Sequence, residues 1–166
     1  MTRVIYPGTF DPITYGHINI LEKAGKIFDE VILAVADQTD KQTAFSLEER
    51  YKLCKEATQH ISNVHVSTFK GLFIDYAKTM DCIIMIRGMR AVSDFEFELA
   101  LALTNKKLSP EIETIFLVPS LKYMYLSSSM IRQLASLGGP LDDFVPPNVA
   151  KAMKQKYGKQ PLSSSE

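Results

Sequence analysis

Five short apolar segments rich in β-branched residues alternate along this chain with longer amphipathic segments. Nearly continuous apolar runs are typical of strands covered on both faces, whereas the amphipathic segments have the periodicity of surface helices. We predict strands over residues 3–6, 31–36, 64–67, 83–86 and 114–118. We predict helices over residues 18–28, 46–59, 72–79, 93–108, 128–137 and 148–157. Strands separated by helices predict an α/β fold, a single Rossmann-like domain in which a five-stranded parallel sheet carries helices on both faces.

Two of these helices begin at a serine that is followed, one helical turn later, by a glutamate. Ser46 and Glu49 form the first such capping box, and Ser93 and Glu96 form the second. In a capping box each side chain accepts a hydrogen bond from a backbone N–H group at the helix start. The helix after the second box carries an apolar stripe that we interpret as core or as a subunit interface, namely Phe95, Leu99, Ala102 and Leu103.

The composition is that of a globular protein, with 46% apolar and 23% charged residues. The formal net charge is zero, so no overall field attracts nucleic acid or an anionic membrane, and any anion site has to be built locally. No segment is long and apolar enough to span a bilayer, and no signal peptide precedes the first strand, so we expect a cytoplasmic protein. We expect one domain over residues 1–158 and a flexible polar tail over residues 159–166.

The cysteines and two of the histidines stand in no functional motif. Cys54 and Cys82 lie far apart among apolar neighbours, without the spacing of metal ligands, and we interpret them as reduced core residues. We therefore predict no metal site built by protein side chains. His60 and His65 are interpreted as surface or loop residues.

Residues 7–17, with the sequence Pro-Gly-Thr-Phe-Asp-Pro-Ile-Thr-Tyr-Gly-His, connect the first predicted strand to the first predicted helix. The chain contains neither GxxxxGK[ST] nor a GxGxxG after this strand, which argues against a P-loop ATPase and a dinucleotide oxidoreductase. A helix N-terminus that follows a strand still binds phosphate, through free N–H groups and the helix dipole. Gly8 and Gly16 permit a tight turn and close approach of a ligand. A lone histidine is more often a capping or partly buried residue, but this setting favours a role for His17 as a donor to a phosphoryl oxygen.

Ligands of parallel sheets collect at the carboxyl ends of the strands, so the residues that follow each strand are candidates for chemistry. Residues 87–90, Arg-Gly-Met-Arg, follow the fourth strand, and two guanidinium groups can clamp phosphate oxygens there. The alternative is that these arginines form surface ion pairs with Asp94, Glu96 or Glu98. Serines 127–129 begin the fifth helix, where their hydroxyls and N–H groups can bind nucleotide phosphates while one serine caps the helix.

Two signatures in this chain resemble those of the nucleotidyltransferase superfamily with a Rossmann-like fold. Thr14-x-Gly-His17 follows the Pro-Gly-Thr-Phe-Asp-Pro segment, and Leu126-Ser-Ser-Ser-x-x-Arg132 lies towards the C-terminal end. The segment 86–96, Ile-Arg-Gly-Met-Arg-Ala-Val-Ser-Asp-Phe-Glu, is more specific and resembles bacterial phosphopantetheine adenylyltransferases. This resemblance extends over residues 3–157 and implies transfer of AMP from ATP to 4′-phosphopantetheine, giving dephospho-CoA and pyrophosphate.

The resemblance also implies a role for each matching residue. Catalytic roles fall on His17, Lys41 and Arg90, with His17 stabilising the transition state. The implied phosphopantetheine site consists of Thr9, Lys41, Phe73 and Arg87. The implied ATP site consists of Thr9, Phe10, His17, Gly88, Met89, Arg90, Glu98, Tyr123, Met124, Tyr125, Leu126, Ser127, Ser128 and Ser129. Mg²⁺ accompanies ATP in this family, and the usual assembly is a homohexamer made of two trimers.

The implied acceptor already carries its nucleophile, because a phosphate monoester with a second pKa of about 6 is largely ionised at neutral pH. No general base is needed, and we expect direct in-line attack on the α-phosphorus of ATP without a covalent intermediate. Two alternatives remain open. One is a sister nucleotidyltransferase that acts on nicotinamide mononucleotide or transfers a cytidylyl group to a small phosphorylated alcohol. The other is a non-catalytic regulator that binds adenylate or CoA on the same fold.

Overall fold

Strands and helices alternate along the chain, which a computed structural model describes over residues 1–37 and 42–158, with the backbone alone at 92 and 93. The strands of this part are β1 (Arg3–Gly8), β2 (Glu30–Asp37), β3 (Val64–Lys70), β4 (Ile84–Gly88) and β5 (Glu113–Leu117). The α-helices are α1 (Tyr15–Ile27), α2 (Leu47–Ala57), α3 (Phe73–Thr79), α4 (Val92–Leu108), α5 (Ser128–Ser136) and α6 (Pro147–Tyr157). A 3₁₀ turn over Leu121–Tyr123, which the sequence analysis did not predict, precedes α5. The predicted tail, 159–166, lies outside the described residues.

The strands form one parallel sheet in the order β3-β2-β1-β4-β5, which confirms the predicted α/β fold. β1 lies at the centre and pairs with β2 on one side and with β4 on the other. The chain therefore moves outwards in one direction from β1 to β3 and returns to the opposite side at β4. A crevice forms outside the carboxyl ends of the strands at such a reversal, and ligands of open α/β sheets bind there.

Helices cover both faces of the centre of the sheet. Val4 and Tyr6 of β1 belong to a buried cluster with residues of α1, α2, α5 and α6. Ile5, which points to the other face, belongs to a second cluster with Ile74 and Ala77 of α3. Successive residues of a strand point to opposite faces, so an uninterrupted apolar run is what a strand between two helix layers requires.

The edges of the sheet differ from the prediction of strands covered on both faces. The central residues of β1 and β2 are buried throughout, whereas exposed residues recur along β3 and β5. Both are edge strands, and the helices cover them only in part. The prediction is therefore confirmed for β1 and β2 and wrong for the two edges. His65 is exposed on β3 and His60 is exposed after α2, as expected for surface residues, while Cys54 and Cys82 are buried and free.

Two helix starts show how local signals succeed or fail. At α2, Ser46 and Glu49 accept hydrogen bonds from each other's backbone N–H groups, so the first capping box is confirmed. The second is wrong, because α4 begins at Val92, so that Ala91, whose side chain makes no capping hydrogen bond, stands at the N-cap and Ser93 lies inside the helix. The apolar stripe of α4 is not core either: Phe95, Leu99 and Leu103 are exposed. Among the described residues, no helix combines the length and apolar character that crossing a bilayer requires.

Candidate active site

A cavity of about 480 Å³ opens where β1 and β4 end, at the reversal of the strand order. Its walls come from the loop after β1, the start of α1, the loop after β4, one side of α4 and the segment before α5. The sequence-predicted residues that line it are Thr9, Phe10, His17, Arg87, Gly88, Arg90, Glu98, Tyr123, Leu126, Ser127, Ser128 and Ser129. The imidazole, both guanidinium groups and the serine-rich helix start therefore meet in one place.

Other predicted residues are not part of this wall. Phe73 begins α3, beyond the end of β3, and Met89 follows β4, but neither lines the cavity. The same holds for Met124 and for Tyr125, whose exposed ring packs edge-on against Phe144. Lys41 lies outside the described residues. The binding roles of these residues stay predictions.

The helix cap at the start of α1 holds the His17 ring. The N–H of Thr14 donates to Nδ1 of His17 over 3.0 Å, while the Thr14 hydroxyl accepts from the His17 N–H. Histidine therefore takes the place that glutamate usually has in a capping box. Because Nδ1 accepts a hydrogen bond, the proton of the neutral ring belongs on Nε2.

Burial, and then the charges of Arg90 and Arg87, lower the pKa of His17 from 6.5 to about 3. The ring is therefore neutral at physiological pH. An imidazole in this state donates one hydrogen bond through Nε2 and does not act as a cation. Within residues 1–37 and 42–158, no protein acceptor takes that hydrogen bond, and His17 lines the cavity.

An aromatic cluster packs beside the imidazole. The Phe10 ring meets the His17 ring edge-on at 5.0 Å between centroids, and Tyr6 meets Phe10 in the same way at 5.3 Å. Burial raises the pKa of Tyr6 to about 12, so its hydroxyl stays protonated. Phe10 folds back over Gly8, where a Cβ atom would lie 2.9 Å from the Phe10 ring. Glycine is therefore required at position 8 for the ring to reach His17.

Arg87 is held in a buried ion pair. Its Nε and Nη2 donate to the two carboxylate oxygens of Glu98 over 2.8 and 2.7 Å, and its Nη1 donates to the Pro7 carbonyl over 2.8 Å. Burial acts to lower the pKa of Arg87, but the hydrogen bonds and charge of Glu98 more than offset it and raise that pKa. A guanidinium has five N–H donors, so two remain for a ligand, one on each terminal nitrogen.

Arg90 joins the loop after β4 to the segment before α5. Its Nε and its backbone N–H donate to the Asp94 carboxylate over 3.3 Å, and its Nη1 donates to the Leu126 carbonyl. The alternative considered for the arginine pair, ion pairing with nearby acids, is thus realised by Arg87 with Glu98 and by Arg90 with Asp94. Both pairs lie inside the cavity wall, where they orient the guanidinium groups.

The serines of the segment before α5 and at its start make different hydrogen bonds. Ser127 caps α5 by accepting from the Met130 N–H over 3.1 Å, and the Ser128 hydroxyl donates to the Pro12 carbonyl over 2.8 Å. The first N–H groups of a helix have no partner inside the helix, and here they belong to residues that line the cavity. The positive end of α5 therefore adds to the arginines around the cavity and favours anionic ligands.

Several residues that were not predicted from the sequence also shape this wall. The buried Asp11 carboxylate accepts from the N–H groups of Ala44 and Phe45, and Arg132 donates to the Asp11 carbonyl. Arg50, buried in α2, donates to the Thr9 carbonyl. Asp11 and Arg132 stand inside the quoted motifs, so the motifs contained a signal for them. Nothing local distinguishes Arg50 from any other arginine in a helix.

The fold and this cavity together define a class, the nucleotidyltransferases built on a Rossmann-like sheet. Residues 5–134 match the family model described as Cytidylyltransferase-like. A solved structure from Vibrio parahaemolyticus, assigned as a nicotinate-nucleotide adenylyltransferase, aligns with a TM-score of 0.66 and 18% identity over 92% of this chain and 99% of that one. At this identity the likeness concerns the fold alone.

Sequence comparison gives the particular family. The chain is 51% identical to the phosphopantetheine adenylyltransferase of Methylacidiphilum infernorum, over 96% of this chain and 94% of that protein. It is 50% identical to the protein of the same name from Dictyoglomus turgidum, over 95% of this chain and 98% of that protein. The chain is a nucleotidyltransferase and belongs to the phosphopantetheine adenylyltransferase family.

Proposed function

We propose that this enzyme transfers the adenylyl group of ATP to 4′-phosphopantetheine, giving dephospho-CoA and pyrophosphate. The observation that carries the proposal is the single cavity at the end of β1 and β4, where both family signatures meet. A reaction between two phosphorylated substrates needs one place in which donor groups from several loops surround both phosphates. Family membership supports 4′-phosphopantetheine, and not nicotinamide mononucleotide, as the acceptor.

The proposed reaction is a direct in-line attack of the acceptor phosphate on the α-phosphorus of ATP. The acceptor is ionised at neutral pH, so the protein needs to supply position and charge stabilisation and no general base. The low pKa of His17, about 3, fits this scheme, because such a ring is a poor base and a persistent neutral donor. No covalent intermediate is involved.

His17 is proposed to donate its Nε2–H to the α-phosphate as that group becomes five-coordinate. Arg90, together with the serines at the start of α5, is proposed to hold the β- and γ-phosphate oxygens that leave as pyrophosphate. The ATP site further includes Thr9, Phe10, Gly88, Met89, Glu98 and the segment 123–126. The lining of the cavity supports the proposal for most of these residues.

The acceptor phosphate is proposed to bind to Lys41 and to the two free N–H groups of Arg87, with Thr9 nearby and with Phe73 against the pantetheine arm. Glu98 fixes the Arg87 guanidinium from the other side, so its free N–H groups have a defined direction. Bidentate arginine recognises phosphate oxygens well, and a lysine supplies a compact charge.

Mg²⁺ is proposed to arrive with ATP, bound by the triphosphate. Over residues 1–37 and 42–158, no group of at least three His, Cys, Asp or Glu side chains is placed to hold a metal ion. Asp94 and Glu98, the acids nearest the arginines, already accept hydrogen bonds from them. Mg²⁺ commonly binds through substrate phosphates and water, and when bound with ATP it would neutralise charge on the phosphates that leave as pyrophosphate.

The proposed assembly is a homohexamer, and the proposed location is the cytoplasm. An apolar face of α4 supports assembly, since Phe95 and Leu103 are 46% and 61% exposed in a single chain. Leu99 of α4 and Ile115 of the adjacent edge strand β5 are also exposed. Exposed apolar side chains grouped in this way are typical of a subunit interface.

Pyrophosphate release tests the proposed reaction. The purified protein is incubated with MgATP and either 4′-phosphopantetheine, nicotinamide mononucleotide or no acceptor, and pyrophosphate is measured with dephospho-CoA by mass. We expect stoichiometric pyrophosphate and dephospho-CoA with phosphopantetheine alone. Release with the mononucleotide instead would identify a sister transferase, and tight binding of ATP and phosphopantetheine without release would identify a regulator.

A further inference from the structure

Three arginines from different elements donate to alternate carbonyls of one short segment, residues 7–12. Arg87 donates to the Pro7 carbonyl over 2.8 Å. Arg50 of α2 donates to the Thr9 carbonyl, and Arg132 of α5 donates to the Asp11 carbonyl, both over 2.7 Å. The family signatures include Arg87 and Arg132, whereas nothing in the sequence singled out Arg50.

Arg50 is the most deeply buried of the three, at 2% exposure. Besides Thr9, its guanidinium donates to the carbonyls of Ala36 over 2.9 Å and Phe45 over 3.2 Å. Within residues 1–37 and 42–158, no carboxylate lies within 4.0 Å of it. Burying a cation is an expensive way to fill a core. The hydrogen bonds of Arg50 instead fix the relative positions of the loop after β1, the end of β2 and the loop before α2.

That geometry includes a strained residue. Phe10 has φ of 49°, in the left-handed region that residues with a Cβ atom rarely adopt. Such a conformation is unfavourable and persists only where the surroundings determine it. The carbonyls on either side of Phe10, those of Thr9 and Asp11, are the two that Arg50 and Arg132 hold.

Holding the Thr9 carbonyl also sets the direction of the Phe10 N–H. The two groups belong to the same trans peptide, in which C=O and N–H point in opposite directions. The N–H of Phe10 therefore points away from the buried guanidinium of Arg50. Within the described ranges no protein group accepts a hydrogen bond from it, and Phe10 lines the cavity.

We propose that Arg50 is a positioning residue for adenylyl transfer. It acts through the Thr9–Phe10 peptide, presenting the Phe10 N–H to an anionic oxygen of the bound nucleotide and holding the Phe10 ring against His17 at 5.0 Å. This inference rests on the proposed function. The new element is Arg50, a residue that touches neither the cavity nor the reacting atoms.

The test uses two variants of Arg50 and one matched control. Arg50→Lys keeps the charge, but the compact ammonium group lacks the planar, widely spaced donors with which the guanidinium reaches three carbonyls. Arg50→Met keeps most of the volume without the charge, and it leaves the carbonyls of Thr9, Ala36 and Phe45 without this donor. Leu53→Ala is the control, because Leu53 is buried one turn further along α2 and is destabilising to truncate, but its side chain donates no hydrogen bond to residues 7–12.

For both Arg50 variants we expect kcat to fall by about 100-fold, as a displacement of about 1 Å at the reacting groups can cause, with KM for ATP within a few-fold of the unaltered enzyme. Leu53→Ala should keep near-normal kcat at temperatures where it is folded. Equal kcat losses in the Leu53 and Arg50 variants would overturn the proposal, as would an unchanged kcat in Arg50→Met.

Nitrogen chemical shifts of the His17 ring provide a readout that does not depend on turnover. We expect them to move in Arg50→Met, because the Phe10 ring leaves its place beside the imidazole, and to stay unchanged in Leu53→Ala. Unchanged His17 shifts in Arg50→Met would contradict the positioning role. If the unaltered enzyme released no pyrophosphate with phosphopantetheine, the proposed function would fail, and the ring shifts would still decide whether Arg50 positions Phe10 and His17.

Discussion

The backbone N–H of Thr14 donates to Nδ1 of His17 over 3.0 Å, so the cap of α1 also selects the tautomer of the imidazole at the cavity. One hydrogen bond thus links helix formation to the protonation state of a group at the site. The other ring nitrogen, Nε2, carries the hydrogen that the proposed reaction uses. The imidazole cannot flip by 180° without breaking the hydrogen bond of the helix cap.

Removing the His17 side chain should slow the reaction far more than it weakens ATP binding. For His17→Ala we expect kcat to fall by at least about 100-fold, the usual effect of losing one donor to a developing negative charge. Steady-state kinetics give kcat, and calorimetry gives ATP affinity. His60→Ala is the control, because His60 is exposed and pairs only with Glu22 in the described chain. A fall in kcat of less than a few-fold would remove His17 from the role assigned to it.

The low pKa of His17 predicts how stability depends on pH. Its pKa is about 3 when folded and 6.5 when unfolded, so the unfolded chain binds an extra proton between those values. The contribution of the neutral ring is complete above pH 6.5 and is lost as the pH falls towards 3, at up to about 1.4 kcal/mol per pH unit. Urea unfolding of the unaltered protein and of His17→Gln across this range measures it. Parallel pH profiles for the two proteins would contradict the prediction.

Lys41 is expected to act on the acceptor. For Lys41→Ala we expect weaker binding of 4′-phosphopantetheine and little change in ATP affinity, because the lysine is proposed to neutralise the acceptor phosphate alone. Calorimetry with each substrate distinguishes the two. Lys70→Ala, at the exposed end of β3, is a suitable control. Unchanged phosphopantetheine affinity in Lys41→Ala would exclude Lys41 from the site.

Removing one partner of the Arg87–Glu98 ion pair should lower the free energy of unfolding substantially. Glu98 is 7% exposed, so Glu98→Ala leaves a largely buried guanidinium without its counter-charge, a change that costs about 3–5 kcal/mol. We also expect a higher KM for phosphopantetheine, since Arg87 loses its orientation. Chemical unfolding measures the first effect and initial rates measure the second. The double variant Arg87→Met with Glu98→Leu should recover much of the stability, and a double variant as unstable as the single one would argue against the pairing.

The apolar face of α4 should be a contact between copies of the chain. We expect Phe95→Glu or Leu103→Glu to reduce the mass of the assembly towards that of the single 18.7 kDa chain, because each places a charge in an apolar interface. Light scattering after size-exclusion chromatography measures the mass. Leu137→Glu is the control, as Leu137 is also exposed, at 78%, but lies at the end of α5. An unaltered protein that is already monomeric would refute the interface.

Much of the fold could be predicted because its signals are local. Apolar runs marked the strands, and Ser46 with Glu49 marked the start of α2. Elsewhere the local signal misled, as with the predicted second capping box, because α4 begins earlier than the serine suggested. The stripe of α4 is apolar in sequence, but only the packing shows that its side chains remain exposed within the described part of one chain.

For the site, the motifs that follow the strands could be predicted, since strand, loop and helix start are contiguous in the chain. The three-dimensional packing was needed to see that Arg87 pairs with Glu98, that the His17 ring is neutral, and that Arg50 holds the carbonyl of Thr9, 41 residues away. These facts depend on which strands lie side by side and how deeply each charge is buried. Hydrogen bonds and desolvation act over a few ångströms in space, whereas sequence patterns carry information over a few residues along the chain.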